Sequence, residues 1–443
     1  MTVKVRFAPS PTGKLHVGNI RAALVNWLFA QQQGGQFVLR IDDTDRERST
    51  VENEEAIKAD LTWLGLLWAE TFRQSDRFER YDAIVAQLKA DGRLYPCFET
   101  ADELEMKRKI QMGRGMPPVY DKAALSLTLE QIAAYEAEGR QPHWRFKLEV
   151  PSRVEWNDLI RGTVSIDMAS VSDPILIRED GSYLYTLPSV VDDVDYGITH
   201  IVRGEDHVTN SAVQAQIFEA IGGTVPEMAH FALLTGKGGE GLSKRHGAMS
   251  IAEYRDEAGL EPMSIVSLLA RVGTSEPIEA FIEPKGLIEG FDFAKFGRST
   301  AKLDLADLEL LNTKILHMLP YDAVKDRLPG LDAEFWAIIQ PNLKKISDVS
   351  EWQTIINGPV TPVIEDSDHM AKALALLPEG KLTADSWSEW TTAIKEQTGI
   401  KGRALFMPLR QALTGQDHGP DMGMLLPLIG REKVVARLEG KAA

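Results

Sequence analysis

The stretch from Met1 to Asn19, MTVKVRFAPSPTGKLHVGN, constrains the fold more than any other part of the chain. From Thr2 to Phe7, the apolar Val3, Val5 and Phe7 alternate with Thr2, Lys4 and Arg6, which is the two-residue period of a β-strand. Pro9, Pro11 and Gly13 then end regular structure. Past Gly18, the residues Ile20, Ala23, Leu24, Trp27 and Leu28 share one helical face. Strand, tight loop and helix in this order begin an α/β nucleotide site. The helix N-terminus offers free N–H groups and the positive end of its dipole to a phosphate. Ser10, Thr12, Lys14 and His16 add polar side chains to the loop. The loop has neither the Walker A pattern nor GxGxxG.

Pro9-Ser10-Pro11-Thr12-Gly13, followed by Leu15-His16-Val17-Gly18-Asn19, resembles the HIGH region of class I aminoacyl-tRNA synthetases. The PSPTG prefix is similar to that of the glutamyl and glutaminyl branch. The family's second motif, a KMSKS-type loop, has a counterpart in Gly241-Leu242-Ser243-Lys244-Arg245, inside the glycine-rich stretch Leu233 to Gly247. The resemblance implies an ATP site made of Pro9, Ser10, Pro11, Thr12, Gly13, His16, Gly18, Asn19, His207, Leu242, Ser243, Lys244 and Arg245. Within it, His16 and Lys244 are the expected catalytic residues. His16 would hydrogen-bond the phosphates, and Lys244 would meet the charge developing on leaving pyrophosphate.

Gln36 to Asp42 reads as a second strand, ending in Asp42-Asp43-Thr44-Asp45. Acidic residues at the carboxyl end of a strand in an open parallel sheet sit where ligands bind. Asp43 and Asp45 also fit the start of a helix from Arg46 to Leu64. By resemblance, Asp42 stands where the family holds the α-ammonium of its amino acid, one methylene shorter than the usual Glu. The runs Tyr183 to Asp193 and Gly197 to His207 are similar to glutamyl synthetases, with Tyr185 and Arg203 at positions that hold the substrate side chain. A γ-carboxylate calls for a planar, bidentate guanidinium, which Arg6 and Arg203 supply at two strand ends. Taken by its pattern alone, Arg6 reads as a surface strand arginine. The implied glutamate site is Arg6, Ala8, Ser10, Asp42, Tyr185, Ser189 and Arg203. Ser189 falls where some relatives carry Asn, and Asp192 and Asp193 read as structural.

A chain of 443 residues exceeds one core, so several domains are expected. Helical patterns cover Glu54 to Leu66 and Phe78 to Leu94. Polar helices (Ala101 to Gln111, Thr128 to Gly139) and β-rich runs (Pro142 to Val150, Ser152 to Trp156, Thr163 to Ile166) then interrupt the α/β pattern. Tyr95-Pro96-Cys97-Phe98, Tyr120-Asp121, Trp144-Arg145-Phe146 and Asp158-Leu159-Ile160-Arg161-Gly162 resemble the family's acceptor-arm insert. From Ile251 onward the pattern predicts almost only helix, including Ile278 to Gly286, Leu303 to Met318, Tyr321 to Leu328 and Lys401 to Leu413. Glutaminyl relatives carry β-barrels there instead. The expected fold is α/β: a Rossmann-like parallel-sheet catalytic domain, an inserted α+β acceptor-binding domain and an all-α anticodon-binding half. The expected boundaries are 1–95 and 183–250 for the catalytic halves, 96–182 for the insert, 251–319 for a helical stem-contact domain and 320–443 for the anticodon-binding domain.

A net charge of −16 argues on its face against a nucleic-acid partner, yet Met106 to Gly115 is locally basic, with Lys107, Arg108, Lys109 and Arg114. The single cysteine, Cys97, excludes an intramolecular disulfide and a multi-cysteine zinc site. It reads as a small buried apolar residue, so neither zinc nor another protein-held metal is expected. No charged-then-apolar leader and no bilayer-length apolar run is present, which makes the cytoplasm the expected location. The resemblance implies a monomeric ligase that joins L-glutamate to tRNA(Glu) using ATP and Mg²⁺. A relaxed or tRNA(Gln)-directed enzyme is the alternative within the family. A tRNA-independent nucleotidyl transferase would leave residues 300–443 without a task, and a silent tRNA-binding module would not need His16, Gly18, Ser243 and Lys244.

Overall fold

A computed structural model describes residues 2–150, 152–236, 238–239 and 249–443. Its chain packs as two compact units, Met1–Glu257 with Ile265–Leu305, and Ala258–Ser264 with Ala306–Ala443. The second division falls at Leu305, ahead of the boundary expected at 319 and 320, and the insert expected at 96–182 packs as part of the first unit.

In the first unit, β1 (Lys4–Phe7), α1 (Val17–Gln32), β2 (Gln36–Ile41), α2 (Val51–Trp63) and β3 (Glu70–Arg73) form a parallel β1-β2-β3 sheet with crossover helices. After α3 (Phe78–Ala90) comes the insert, with β4 (Leu94–Cys97), α4 (Ala101–Gly113), α5 (Leu129–Ala137), β5 (His143–Phe146), β6 (Arg153–Asp158), β7 (Gly162–Asp167) and β8 (Ile175–Ile177). Strands β4, β5 and β8 make an antiparallel sheet, and β6 and β7 a hairpin. The α/β pattern resumes with α6 (Thr186–Asp195), β9 (His200–Gly204), α7 (Val208–Ala220) and β10 (Glu227–Phe231), where β9 and β10 are parallel.

Strand β9 lies beside β1. The Thr199 N–H donates to the Lys4 carbonyl at 2.9 Å, and the Lys4 N–H donates to Thr199 Oγ1 at 2.8 Å. Among the described residues no regular ladder continues between the two strands. Their carboxyl ends therefore open at the point where the strand order reverses, which is where open parallel sheets bind ligands.

Helix α1 fills the angle behind this opening. It buries Val17, Ile20, Ala23, Leu24, Val25 and Leu28, and two polar residues with them. Asn26 donates to the Val202 carbonyl at 2.9 Å, and Arg21 to the carbonyls of Ala232 and Val272 at 2.8 and 2.9 Å. These bonds fasten the second half of the α/β pattern to a helix of the first. Beyond β11 (Leu234–Gly236) lie α8 (Ile251–Asp256), α9 (Pro262–Arg271), α10 (Lys285–Glu289) and β12 (Ala301–Leu303), and β12 pairs in parallel with β11.

The second unit holds α11 (Leu305–Met318), α12 (Ala333–Ile339), α13 (Val349–Asn357), α14 (Ser367–Ala375), α15 (Ser386–Thr398), α16 (Arg403–Thr414), α17 (Met422–Ile429) and α18 (Arg431–Leu438). Buried Arg437 donates to the carbonyls of Leu413, Ile355 and Ala443 at 2.6, 2.7 and 2.9 Å, the first two in the last turns of α16 and α13, where helix carbonyls lack intrahelical partners. No helix among the described residues is long and apolar enough to cross a membrane.

Several elements differ from the sequence expectation. Ile278 to Gly286 is not a helix; only Lys285–Glu289 is, because Pro284 disfavours helical geometry at the residue before it. Tyr321 to Leu328 forms two short 3₁₀ turns rather than a helix. The strand β12 interrupts the helical run that begins at Ile251. Helix α2 starts at Val51 under a Thr50 cap, whose hydroxyl accepts from the Asn53 N–H at 3.2 Å, so Asp43 and Asp45 cap nothing there. Asp43 instead accepts from the Ser75 N–H and hydroxyl at 2.8 and 2.6 Å, and Asp45 pairs with Arg48.

Candidate active site

At the carboxyl ends of β1 and β9 lies a cleft of about 840 Å³. Its wall brings together Arg6, Ala8, Pro9, Ser10, Thr12, Gly13, His16, Gly18, Asn19, Asp42, Tyr185, Ser189, Arg203 and His207. These come from four separate stretches of sequence. Pro11 is buried beneath the loop and accepts from the Thr50 N–H at 3.2 Å through its carbonyl. Leu242, Ser243, Lys244 and Arg245 lie outside the described residues. Downstream of them the chain returns to this cleft. Ser250 forms an antiparallel bridge with His16, and the Ile251 N–H donates to the Leu15 carbonyl at 3.0 Å.

His16 caps α1. The Gly18 N–H donates to His16 Nδ1 at 3.1 Å, while the His16 N–H donates to Asn19 Oδ1 at 3.2 Å. Burial lowers the imidazole pKa, so the ring is neutral at pH 7. Because Nδ1 accepts, the ring proton sits on Nε2, leaving an N–H donor at the helix N-terminus. Glycine at 18 is a steric requirement: a Cβ there would stand 2.9 Å from His16 Cε1 and 3.0 Å from Nδ1.

A run of alternating charge crosses the cleft floor. Arg6 is bound to Asp193 through Nε–Oδ1 at 3.0 Å and Nη2–Oδ2 at 3.2 Å. Arg40 Nη1 donates to the same Asp193 Oδ1 at 2.9 Å. Arg40 also donates to both Asp42 oxygens, from Nε to Oδ1 at 2.6 Å and from Nη2 to Oδ2 at 3.1 Å. Ser189 Oγ accepts from Arg40 Nη2 at 3.0 Å. Arg6 is therefore buried and ion-paired, not a surface strand arginine, because both faces of a parallel sheet are covered. Burial pushes the Asp42 carboxyl up to about 6, against the opposing pull of Arg40.

Arg203 differs from the other two arginines. It is 9% exposed, and among the described residues its hydrogen bonds run to neutral groups, from Nη2 to Ser211 Oγ and to Gln214 Oε1, both at 2.6 Å. Its Nε has no hydrogen-bond partner among the described residues. Burial pulls its pKa down to about 10, still cationic at pH 7. A buried guanidinium with only neutral partners is a ready receptor for a carboxylate. Above it, the Tyr185 hydroxyl lies 3.3 Å from His207 Nδ1 and accepts from Asn210 Nδ2 at 3.2 Å. Burial, then the Arg203 charge, lowers the His207 pKa.

Sequence reasoning missed Arg40, Asn210 and Gln214. Arg40 is hidden inside the apolar run FVLRI, where only the pairing with Asp42 two residues on hints at its role. His207, Asn210, Ser211 and Gln214 follow the three- and four-residue spacing of one helix face, a signal readable from sequence once His207 is chosen.

Cys97 is buried, and its sulfur lies 3.7 Å from the Tyr120 hydroxyl oxygen. Burial pushes the thiol up to about 12. Donor atoms of Cys97, Glu99 and His143 lie within 4.8 Å of one another. Glu99 Oε1 already accepts from the Tyr120 hydroxyl at 2.9 Å and from Lys107 Nζ at 3.2 Å. Two cations, Lys107 and Arg145, stand by this set, the latter 4.0 Å from the Tyr120 ring centre. Among the described residues these three donors fall one short of the four that a closed zinc site uses, and Glu99 is already paired with Lys107.

Residues 2–310 match the family model of the class I tRNA synthetases (E and Q), catalytic domain, and residues 333–441 match an anticodon binding domain. The chain is 59% identical to glutamate–tRNA ligase 1 of Maricaulis maris, across 99% of this chain and 100% of that protein. It is 58% identical to glutamate–tRNA ligase 2 of Hyphomonas neptunium, across 98% of this chain and 99% of that one. A solved glutamate tRNA ligase of Elizabethkingia meningosepticum, in complex with its amino acid, matches with a TM-score of 0.85 at 27% identity, covering 99% of each chain.

Proposed function

The chain belongs to the class I tRNA synthetases of the E and Q branch, and we propose that within this family it is a glutamate–tRNA ligase. It activates L-glutamate with ATP to glutamyl-adenylate and passes the glutamyl group to the terminal adenosine of tRNA(Glu). The observation that carries this reading is Arg203, a buried cation at the cleft wall whose bonding partners among the described residues are neutral.

Glutamate lies with its γ-carboxylate toward Arg203, Arg6 and Tyr185, and its α-ammonium toward Asp42. Ala8, Ser10 and Ser189 complete that pocket. A cationic receptor favours glutamate over glutamine, whose amide NH₂ would face N–H donors without an acceptor. ATP lies along the Pro9 to Asn19 loop, with phosphates toward the α1 N-terminus and the His16 Nε2–H, and with His207 beside them. By the resemblance of the second motif, Lys244, with Leu242, Ser243 and Arg245, would meet the charge on the phosphates.

The α-carboxylate of glutamate attacks the α-phosphorus, and pyrophosphate leaves. A tRNA ribose hydroxyl then attacks the carbonyl of the adenylate, and AMP leaves. The attacking carboxylate is ionised at neutral pH and needs no base. Positioning and charge stabilisation do the catalysis, which suits a site of N–H donors and cations without a nucleophile. Mg²⁺ enters with ATP, held by phosphates and water. Zinc has no part in the proposal.

The insert grips the acceptor arm, and the helical second unit reads the anticodon end. The protein works as a cytoplasmic monomer. Charging assays with labelled glutamate on purified tRNA(Glu) and tRNA(Gln) test the reading. Charging of tRNA(Glu) supports it; charging of both tRNAs identifies a relaxed enzyme; charging of neither overturns it.

A further inference from the structure

Behind Arg203 runs a chain of buried polar groups that the reaction itself does not use. Arg203 Nη2 donates to Ser211 Oγ at 2.6 Å. Ser211 Oγ lies 2.7 Å from His230 Nε2, and His230 Nδ1 lies 2.5 Å from Asp158 Oδ2. Ser211 and His230 are fully buried, and Asp158 is 2% exposed. Asp158 is fixed by more than this contact. Its Oδ1 accepts from the N–H groups of Ile160 and Arg161 at 3.0 Å, and of His230 at 3.1 Å. Burial opposes its charge, but the His230 bond and these backbone N–H groups outweigh that and hold its carboxyl down at about 2.

The charged ends of this chain fix its outer donors: Arg203 donates to Ser211, and an ionised Asp158 only accepts, so His230 carries a proton on Nδ1. Ser211 Oγ accepts from Arg203, and its own hydroxyl lies within reach of two acceptors, His230 Nε2 at 2.7 Å and the His207 carbonyl at 3.2 Å. The constellation has the members of a hydrolytic triad, but Ser211 has no exposed surface and its oxygen is already occupied by Arg203. It is not a nucleophile.

We propose that Asp158, His230 and Ser211 form a positioning relay that fixes the Arg203 guanidinium for the substrate side chain. Asp158 ends β6 of the insert, so the relay also ties the insert to the amino-acid pocket. Gln214 Oε1 holds the same Arg203 nitrogen at 2.6 Å, and the two acceptors together set the plane of the guanidinium. The relay rests on the reading of Arg203 as the receptor for the glutamate γ-carboxylate.

The test is steady-state charging of tRNA(Glu) by the full-length parent, Ser211→Ala and Asp158→Asn, with KM measured separately for glutamate and ATP and a thermal melt of each protein. Asp158→Asn keeps the shape of the side chain and serves if Ser211→Ala does not fold. The expected result is a glutamate KM raised about tenfold or more by Ser211→Ala, with the ATP KM unchanged within about twofold, because one bond to a charged group is lost at one subsite. Asp158→Asn raises the glutamate KM in the same direction. An unchanged glutamate KM in the folded variants overturns the relay. So does a parallel rise in both KM values with a lowered melt, which marks simple packing damage. A parent that charges no tRNA with glutamate overturns the function itself, whatever the variants do.

Discussion

Arg40 holds both oxygens of Asp42, at 2.6 and 3.1 Å, so the carboxylate proposed to meet the substrate ammonium is clamped in the unliganded cleft. An Asp in place of the longer Glu is thereby fixed in place, and Asp193 and Ser189 hold Arg40 in turn.

Burial of Asp42, which outweighs the pull of Arg40, is expected to make glutamate binding sensitive to acid. Burial sets the Asp42 pKa at about 6, above the usual carboxylate range. The group is charged above that pH and neutral below it, while the substrate ammonium stays protonated throughout. The glutamate KM of the parent is expected to rise as pH falls from about 7.5 to about 5.5, which spans this value. Asp42→Asn is expected to have a high KM at neutral pH and to lose most of that acid dependence. A pH series of KM for both proteins checks this.

Arg203→Lys keeps a positive charge but loses the planar fork. Its kcat/KM for glutamate is expected to fall about 10- to 100-fold, the cost of a bond between charged groups. The ATP KM should hold. Initial-rate charging at several glutamate concentrations separates the two.

Gly18→Ala is expected to disable the phosphate site without unfolding the protein. The new methyl meets the His16 ring at 2.9 and 3.0 Å and must push it off its Nδ1 bond. The charging rate should fall about a hundredfold or more, as when a transition-state donor is removed. His16→Ala should match it, and the two changes together should cost little more than either alone.

Asp193 matters to the fold as well as to the cleft, since it pairs with two buried arginines. Asp193→Asn takes the anionic partner from buried Arg6, while Arg40 keeps Asp42, and is expected to destabilise the first unit by about 3–5 kcal/mol. Urea unfolding of parent and variant measures the difference.

The strand–loop–helix opening was legible because alternation, prolines and a periodic apolar face all agree over Val3 to Leu28. The acidic strand end at Asp42 was legible for the same reason. The pairing of Arg6 with Asp193 was not, since it spans 187 positions and no local pattern reports it. Helix α17 was hidden by Gly423 and Pro427, yet burial of Met422, Leu425, Leu426 and Ile429 overrides their low helical propensity. Helix α13 shows the same weighting, with Val349, Trp352, Ile355 and Ile356 buried on one face. The Asp158–His230–Ser211 chain escaped notice because its members lie far apart in sequence and meet only through the fold of β6 against β10.

The most direct measurement is a crystal structure of this protein with L-glutamate bound. The account predicts the γ-carboxylate within hydrogen-bonding distance of Arg203 and the α-ammonium against Asp42. Glutamate lying elsewhere, or reversed so that its ammonium faces Arg203, would contradict it.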